Sequence, residues 1–154
     1  MNNPLNPLLL RGSKNQRKSA FRSAAISGLL KGGMLLELSG SEIAETGARA
    51  ALDRKANNVV VLDLRGLSSV TDFFVICSGN SDIHVEAIAD IIEEKLDEHG
   101  AKPWHREGGR GATWILLDYI DAIVHVFTED ARDFYSLERL WGDAAKVTYD
   151  EESG

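Results

Sequence analysis

The chain has 154 residues, 44% hydrophobic, 27% charged and 7% aromatic, a balance that fits one globular domain and excludes a fibrous or wholly disordered chain. Seventeen Lys and Arg against 24 Asp and Glu give a net charge of −7, and the single cysteine, Cys77, excludes an internal disulfide or a multi-cysteine metal cluster and points to a reducing compartment. Apolar runs such as Val59 to Leu62 are far shorter than the roughly 20 residues a membrane helix needs, so a spanning segment is not expected.

Residues 1–36 contain Pro4, Pro7, several Ser and Gly and the run Leu8-Leu9-Leu10, with no sustained period of 2 or 3.6, and read as a disordered or weakly helical extension. They carry Arg11, Lys14, Arg17, Lys18, Arg22 and Lys31 and no acid. Three alternatives share this composition: an organelle transit peptide, a basic arm that touches RNA, and an upstream stretch preceding a true start at Met34. Removing these six cations leaves 11 basic against 24 acidic side chains, a net of −13 on the rest of the chain. Such a body repels phosphate backbones, so direct nucleic-acid binding by the folded part is not expected, whereas a basic protein is attracted.

The domain is expected over residues 37–150. From Ser39 the pattern is helical, with Ser39 or Ser41 as cap, Glu42 and Glu45 in the first turns, and a small-residue stripe through Ile43, Ala44, Gly47, Ala48, Ala51 and Leu52 that ends near Lys55. The β-branched run Val59 to Leu64 predicts a buried strand, Arg65 to Ser69 a turn, and Phe73 to Ser78 a second strand. Ser81 caps the clearest helix, in which Val85, Ile88, Ile92 and Leu96 share a face and Gly100 supplies the stop. Strands are predicted at Lys102 to Glu107, Thr113 to Asp118 and Asp121 to Phe127, the last two as an antiparallel hairpin. Glu129 to Phe134 and Leu137 to Trp141 suggest short helical turns, and Asp143 to Gly154 is a polar, acidic end. The fold class is therefore α/β, a mixed β-sheet of about five strands with helices on one face, the other face being wet or covered by something else.

Few residues form a catalytic pattern. His84, His99, His105 and His125 lack zinc-site spacing; His99 fits a cation at a helix C-terminus and His125 a core histidine. Asp63, Asp72, Asp118 and Asp121 could gather at a sheet end as hard-oxygen ligands for Mg²⁺, although carboxylates flanking a tight turn are also ordinary turn formers. Ser78-Gly79-Asn80-Ser81-Asp82 could present N–H groups to a phosphate but lacks the P-loop lysine and the G-x-G-x-x-G spacing, and Gly108-Gly109-Arg110-Gly111 fits a hairpin loop. Cys77 lies in an apolar strand and reads as an inert thiol. More conspicuous is the crowding of Trp114, Tyr119, Phe127, Phe134, Tyr135 and Trp141 among Asp118, Asp121, Glu129, Asp133 and Glu138. If one side of the sheet meets the helices, the other is a partly apolar surface rimmed by acids, the make-up of a protein interface, with core packing as the alternative for each ring.

Several blocks then stand in order: Val61-Leu62-Asp63-Leu64-Arg65-Gly66-Leu67-Ser68-Ser69-Val70-Thr71-Asp72-Phe73-Phe74-Val75-Ile76, Ser78-Gly79-Asn80-Ser81-Asp82-Ile83-His84-Val85, Trp114 to Tyr119 with Asp121 to Phe127, and Arg132-Asp133-Phe134-Tyr135-Ser136-Leu137-Glu138-Arg139-Leu140-Trp141. Together, from about Ile43 to Val147, they resemble the ribosomal silencing factor family, also called RsfS or Iojap-like. The resemblance implies a nucleotidyltransferase-like fold without transferase activity, no cofactor, and a translation repressor. It implies binding to the large ribosomal subunit through ribosomal protein L-fourteen, which blocks joining of the small subunit when nutrients are scarce. Fold relatives follow a Gly-Ser turn with a D-x-D pair that holds Mg²⁺, and the absence of such a pair after Ser78-Gly79 counts against metal-dependent transfer; the alternative function is nucleotidyl or phosphoryl transfer using Asp63, Asp72, Asp118 and Asp121 with Mg²⁺. By the same resemblance the partner contact falls on Trp114, Leu117, Asp118, Tyr119 and Asp121, with Tyr135 and Glu138 nearby. The location implied is cytoplasmic, or mitochondrial or plastid if the basic extension is a transit peptide, and a homodimer is left open.

Overall fold

The structure is a computed structural model that describes residues 13–19 and 38–151. The first long helix, α1 (Gly40–Asp53), begins with a reciprocal cap: the Ser39 hydroxyl accepts from the Glu42 N–H at 3.2 Å while the Glu42 carboxylate accepts from the Ser39 N–H at 3.1 Å. Its alanine-rich stripe, with Ile43, is buried against the sheet and against α2 (Asp82–Glu98). Ser81 caps α2 by accepting from the His84 N–H, and Gly100, at φ +81, follows its C-cap His99 as expected.

Six strands form one sheet, β1 (Asn57–Asp63), β2 (Phe73–Gly79), β3 (His105–Glu107), β4 (Trp114–Asp118), β5 (Ala122–Thr128) and β6 (Ala145–Tyr149), in the order β3-β4-β5-β2-β1-β6. Central β2 runs antiparallel to β1 and parallel to β5, and the other pairings are antiparallel. The sheet is thus mixed, with six strands where about five were expected. The additional strand is β6, inside the end that reads as merely polar and acidic. Four of its five residues are exposed, so it carries no apolar face to announce it; its ladder with β1, Val59 opposite Tyr149 through Asp63 opposite Ala145, holds it in place.

Alternation along the strands builds two cores. Val59, Val61, Val75, Cys77, Ile115, Leu117, Val124 and Val126 face α1 and α2. Leu62, Phe74, Ile76, Trp114, Leu116, Ile123 and Phe127 face the other way, where Leu137, Tyr135 and Trp141 of the segment spanning α3 (Glu129–Tyr135) and α4 (Leu137–Leu140) cover them. The long helices therefore occupy one face as the sequence predicts. The opposite face is covered by this short helical lid rather than left wet.

Candidate functional site at the acidic end of the sheet

The β4–β5 hairpin turns through Tyr119, Ile120 and Asp121. Ile120 sits in the left-handed region at φ +73, where a β-branched residue is strained by on the order of 1–3 kcal/mol. Three contacts hold it there. Its N–H donates to Asp118 Oδ1 at 2.7 Å, and its carbonyl accepts from Thr71 Oγ1 at 2.8 Å and from Arg17 Nη2 at 3.2 Å. The Asp121 carbonyl accepts the N–H groups of Asp72 and Phe73, which ties the loop before β2 to the hairpin. A Cβ on Gly40 would lie 2.9 Å from the Asp121 Cβ, so only glycine lets the start of α1 approach this turn. Asp72, Asp118 and Asp121 are thereby gathered at one end of the sheet.

That end is occupied by the chain itself. Residues 14–19 are helical, started by a capping box in which Ser13 Oγ accepts from the Gln16 N–H at 3.3 Å and Gln16 Oε1 accepts from the Ser13 N–H at 2.8 Å. Lys14, Arg17 and Lys18, spaced i, i+3, i+4, share one face of it. Lys14 Nζ lies 2.9 Å from Asp72 Oδ1, Lys18 Nζ 3.0 Å from Asp121 Oδ1, and Arg17 Nε 3.0 Å from Asp118 Oδ2. Arg17 Nη2 also donates to the Val70 carbonyl at 2.7 Å, and the Lys14 N–H to the Ser69 carbonyl at 2.9 Å. Arg17 is only 3% exposed and Asp118 1%. Burial pushes the Asp118 carboxyl above the usual range, opposed by the Arg17 guanidinium and the Ile120 N–H.

The extension expected to be disordered or weakly helical therefore contributes a docked helical turn at residues 13–19. The transit-peptide and alternative-start readings fall largely on residues outside the described ones. The Ser13-x-x-Gln16 box is the sequence signal for this turn, a faint one because no apolar period accompanies it.

The expected contact residues do not form one surface. Trp114, Leu117, Asp118 and Tyr119 are buried rather than exposed, because both faces of the sheet are covered. Trp114 lies under the lid, its ring 4.5 Å from that of Tyr135 and its Nε1–H donating to His125 Nδ1 at 3.1 Å, whereas Leu117 and Tyr119 face the long helices. Asp121 keeps an 18% exposed side chain beside Lys18. Tyr135 is half-buried, and Glu138 accepts from Arg132 Nε at 2.8 Å. The lid places Phe134, 77% exposed, and Leu140, 64% exposed, outward beside the exposed acids Glu129, Asp130 and Asp133. An acid-rimmed apolar surface does exist, but the helical lid presents it, not the strands.

The remaining candidates are accounted for locally. Asp63 is held by Arg65, at 2.7 Å from Nη2, and does not join the other three carboxylates. Among the described residues no group of three or more His, Cys, Asp and Glu is arranged to hold a metal ion. Burial pushes the Cys77 thiol up to about 12. In the Ser78–Asp82 turn the Asn80 N–H is taken by His84 Nδ1 at 2.8 Å, so His84 Nε2 carries the proton that meets the Arg54 carbonyl at 2.6 Å. His105 Nε2 lies 2.6 Å from Glu107 Oε1. A Cβ at Gly79 would stand 2.9 Å from the Val85 backbone nitrogen, so this glycine serves strand–helix packing. Gly79→Ala should lower stability by roughly 1–3 kcal/mol, read as a lower urea midpoint at unchanged slope.

Residues 38–153 match the family model described as "Ribosomal silencing factor during starvation". The chain belongs to the ribosomal silencing factor family. It is 44% identical over 108 residues to ribosomal silencing factor RsfS of Bacillus subtilis (strain 168), covering 70% of this chain and 92% of that protein. It is 37% identical over 100 residues to protein Iojap-related, mitochondrial, of Arabidopsis thaliana, covering 62% and 54%. A crystal structure from Chromobacterium violaceum superposes with a TM-score of 0.66 at 29% identity over 75% of this chain and 97% of that one. One from Bacillus halodurans gives 0.60 at 39% identity over 72% and 99%. The family recognised in the sequence blocks is thus the one shown, and the mixed α/β fold is shared by these two solved structures. The segment carrying Lys14, Arg17 and Lys18 lies before the matched silencing-factor region.

Proposed function

We propose that this protein is a translation repressor that binds the large ribosomal subunit through ribosomal protein L-fourteen and sterically blocks joining of the small subunit, with no bond made or broken. Family membership supports the silencing role. The observation that carries the mode of binding is the sheet end where Asp72, Asp118 and Asp121 already grip a Lys/Arg segment at 2.9–3.0 Å, which is the chemistry needed to hold a basic ribosomal protein. The net charge of −13 beyond residue 36 steers the approach. Asp121, Tyr135 and Glu138 act at the surface with Phe134, while Trp114, Leu117 and Tyr119 act from below by fixing the hairpin and the lid. The site of action is the cytoplasm, or an organelle, as the names of the plant relatives indicate for those proteins.

Co-sedimentation with purified large subunits tests the reading. Asp133→Asn and Phe134→Ala, both at exposed side chains, should each weaken binding about tenfold, roughly 1.4 kcal/mol, while the thermal midpoint stays near that of the parent. Affinity should fall as salt rises from about 50 to 300 mM, because part of the attraction is between exposed charges. Binding unchanged in both variants removes the proposed contact.

A further inference from the structure

The docked turn at residues 13–19 occupies the same carboxylates that the repressor reading assigns to the partner. We infer that the sheet end is a receptor for a short basic helical segment with cations spaced i, i+3, i+4, that residues 14–18 are its built-in ligand, and that they must leave before a ribosomal basic segment can bind there. This inference rests on the ribosome-binding reading for the identity of the competitor, but not for the receptor itself.

The geometry is that of a ligand in a site rather than of a loose surface contact. Three cations meet three carboxylates, Lys14 reaching Asp72 at 2.9 Å and Asp121 at 4.0 Å, and the central pair is Arg17 against Asp118, both almost wholly buried. The guanidinium reads more than charge, since it also takes two backbone carbonyls, Val70 and Ile120, that converge from different loops. The strained left-handed conformation of Ile120 turns its carbonyl toward that guanidinium and toward Thr71. Helix spacing sets the specificity, because Lys14 and Lys18 flank Arg17 on one face and reach Asp72 and Asp121 on either side. Residues 20–37 connect the segment to the domain, so the ligand is tethered and competes at a high effective concentration.

A competitor for an occupied site has its apparent affinity reduced by the fraction of molecules in which the site is open. Reversing Lys14 and Lys18 to Glu in the full chain places like charges against Asp72 and Asp121 and should eject the segment. Two outcomes support the inference. Trypsin should cleave after Arg17 much faster in the Lys14→Glu/Lys18→Glu chain than in the parent, and large subunits should bind that chain roughly tenfold more tightly. A control with the same charge change at the half-buried Lys95 and the exposed Lys102, each to Glu, separates release from general electrostatics and should alter neither. Equal or weaker binding by the released chain overturns the competition, weaker binding meaning that the segment itself contacts the ribosome.

A second measurement needs no ribosome. A synthetic peptide of residues 11–22, titrated by calorimetry, should bind the Lys14→Glu/Lys18→Glu chain and not the parent. No heat with either chain overturns the receptor. Peptide binding without any ribosome binding by either chain keeps the receptor, overturns the competition and retires the repressor reading.

Discussion

Trp114→Ala should destabilise the domain by about 3–5 kcal/mol, enough to remove much of the stability of a chain this size. The ring is 2% exposed, packs on Phe127 at 4.7 Å and Tyr135 at 4.5 Å between ring centres, and donates its N–H to the otherwise buried His125 Nδ1. Truncation opens a cavity and leaves that nitrogen without its donor. Trp114→Phe keeps most of the packing and loses only the hydrogen bond, so it should cost about 1–2 kcal/mol. Urea titration of the two variants separates the terms, and a Trp114→Ala midpoint equal to that of the parent would show that the ring lies outside the core. Of the two sequence readings of Trp114, interface anchor or core ring, the structure supports the second, so loss of ribosome binding in Trp114→Ala would report unfolding of the lid.

Acidification should expose a second buried group. His125 is fully enclosed among Phe74, Trp114 and Phe127, and burial pushes its imidazole down to about 3 from the usual 6.5. The native state therefore keeps the ring neutral, with Nδ1 accepting from Trp114, across a range in which the unfolded chain takes up a proton. The stabilising contribution is complete above pH 6.5 and is lost as pH falls toward about 3, with a limiting slope of about 1.4 kcal/mol per pH unit. Between pH 6.5 and 5 the loss is roughly 1.5–2 kcal/mol. Asp118, whose carboxyl is raised by burial, acts in the opposite direction as pH falls, so the quantity to measure is the difference between the parent and His125→Gln. The parent should lose stability faster on acidification, and parallel pH profiles would place the imidazole in contact with solvent.

The elements legible in the sequence are those whose local chemistry and burial agree. The caps at Ser39 and Ser81, the apolar stripes of α1 and α2 and the β-branched run of β1 all state their structure within a few residues. Where long-range pairing decides, the local pattern falls silent. Strand β6 is mostly exposed and exists because β1 offers a ladder, and β3 shortens to three residues opposite Leu116 to Asp118. The site was half legible. Asp118 and Asp121 were marked by the hairpin, but whether the neighbouring rings face solvent depends on a lid of two short helices whose coverage no periodicity announces. The three cations at Lys14, Arg17 and Lys18 stand about a hundred residues from Asp118, and only the folded chain brings them together.

The central position of β2 has a consequence for how the protein is born. Its parallel neighbour β5 and the outer partner of β1, β6, are both made well after β2 itself. During synthesis β1 and β2 can pair as an isolated ribbon, but one side of β2 stays open until Ala122 to Thr128 has left the exit tunnel. Closure of the sheet is therefore slow for the domain's size, since distant segments must meet before its interior closes.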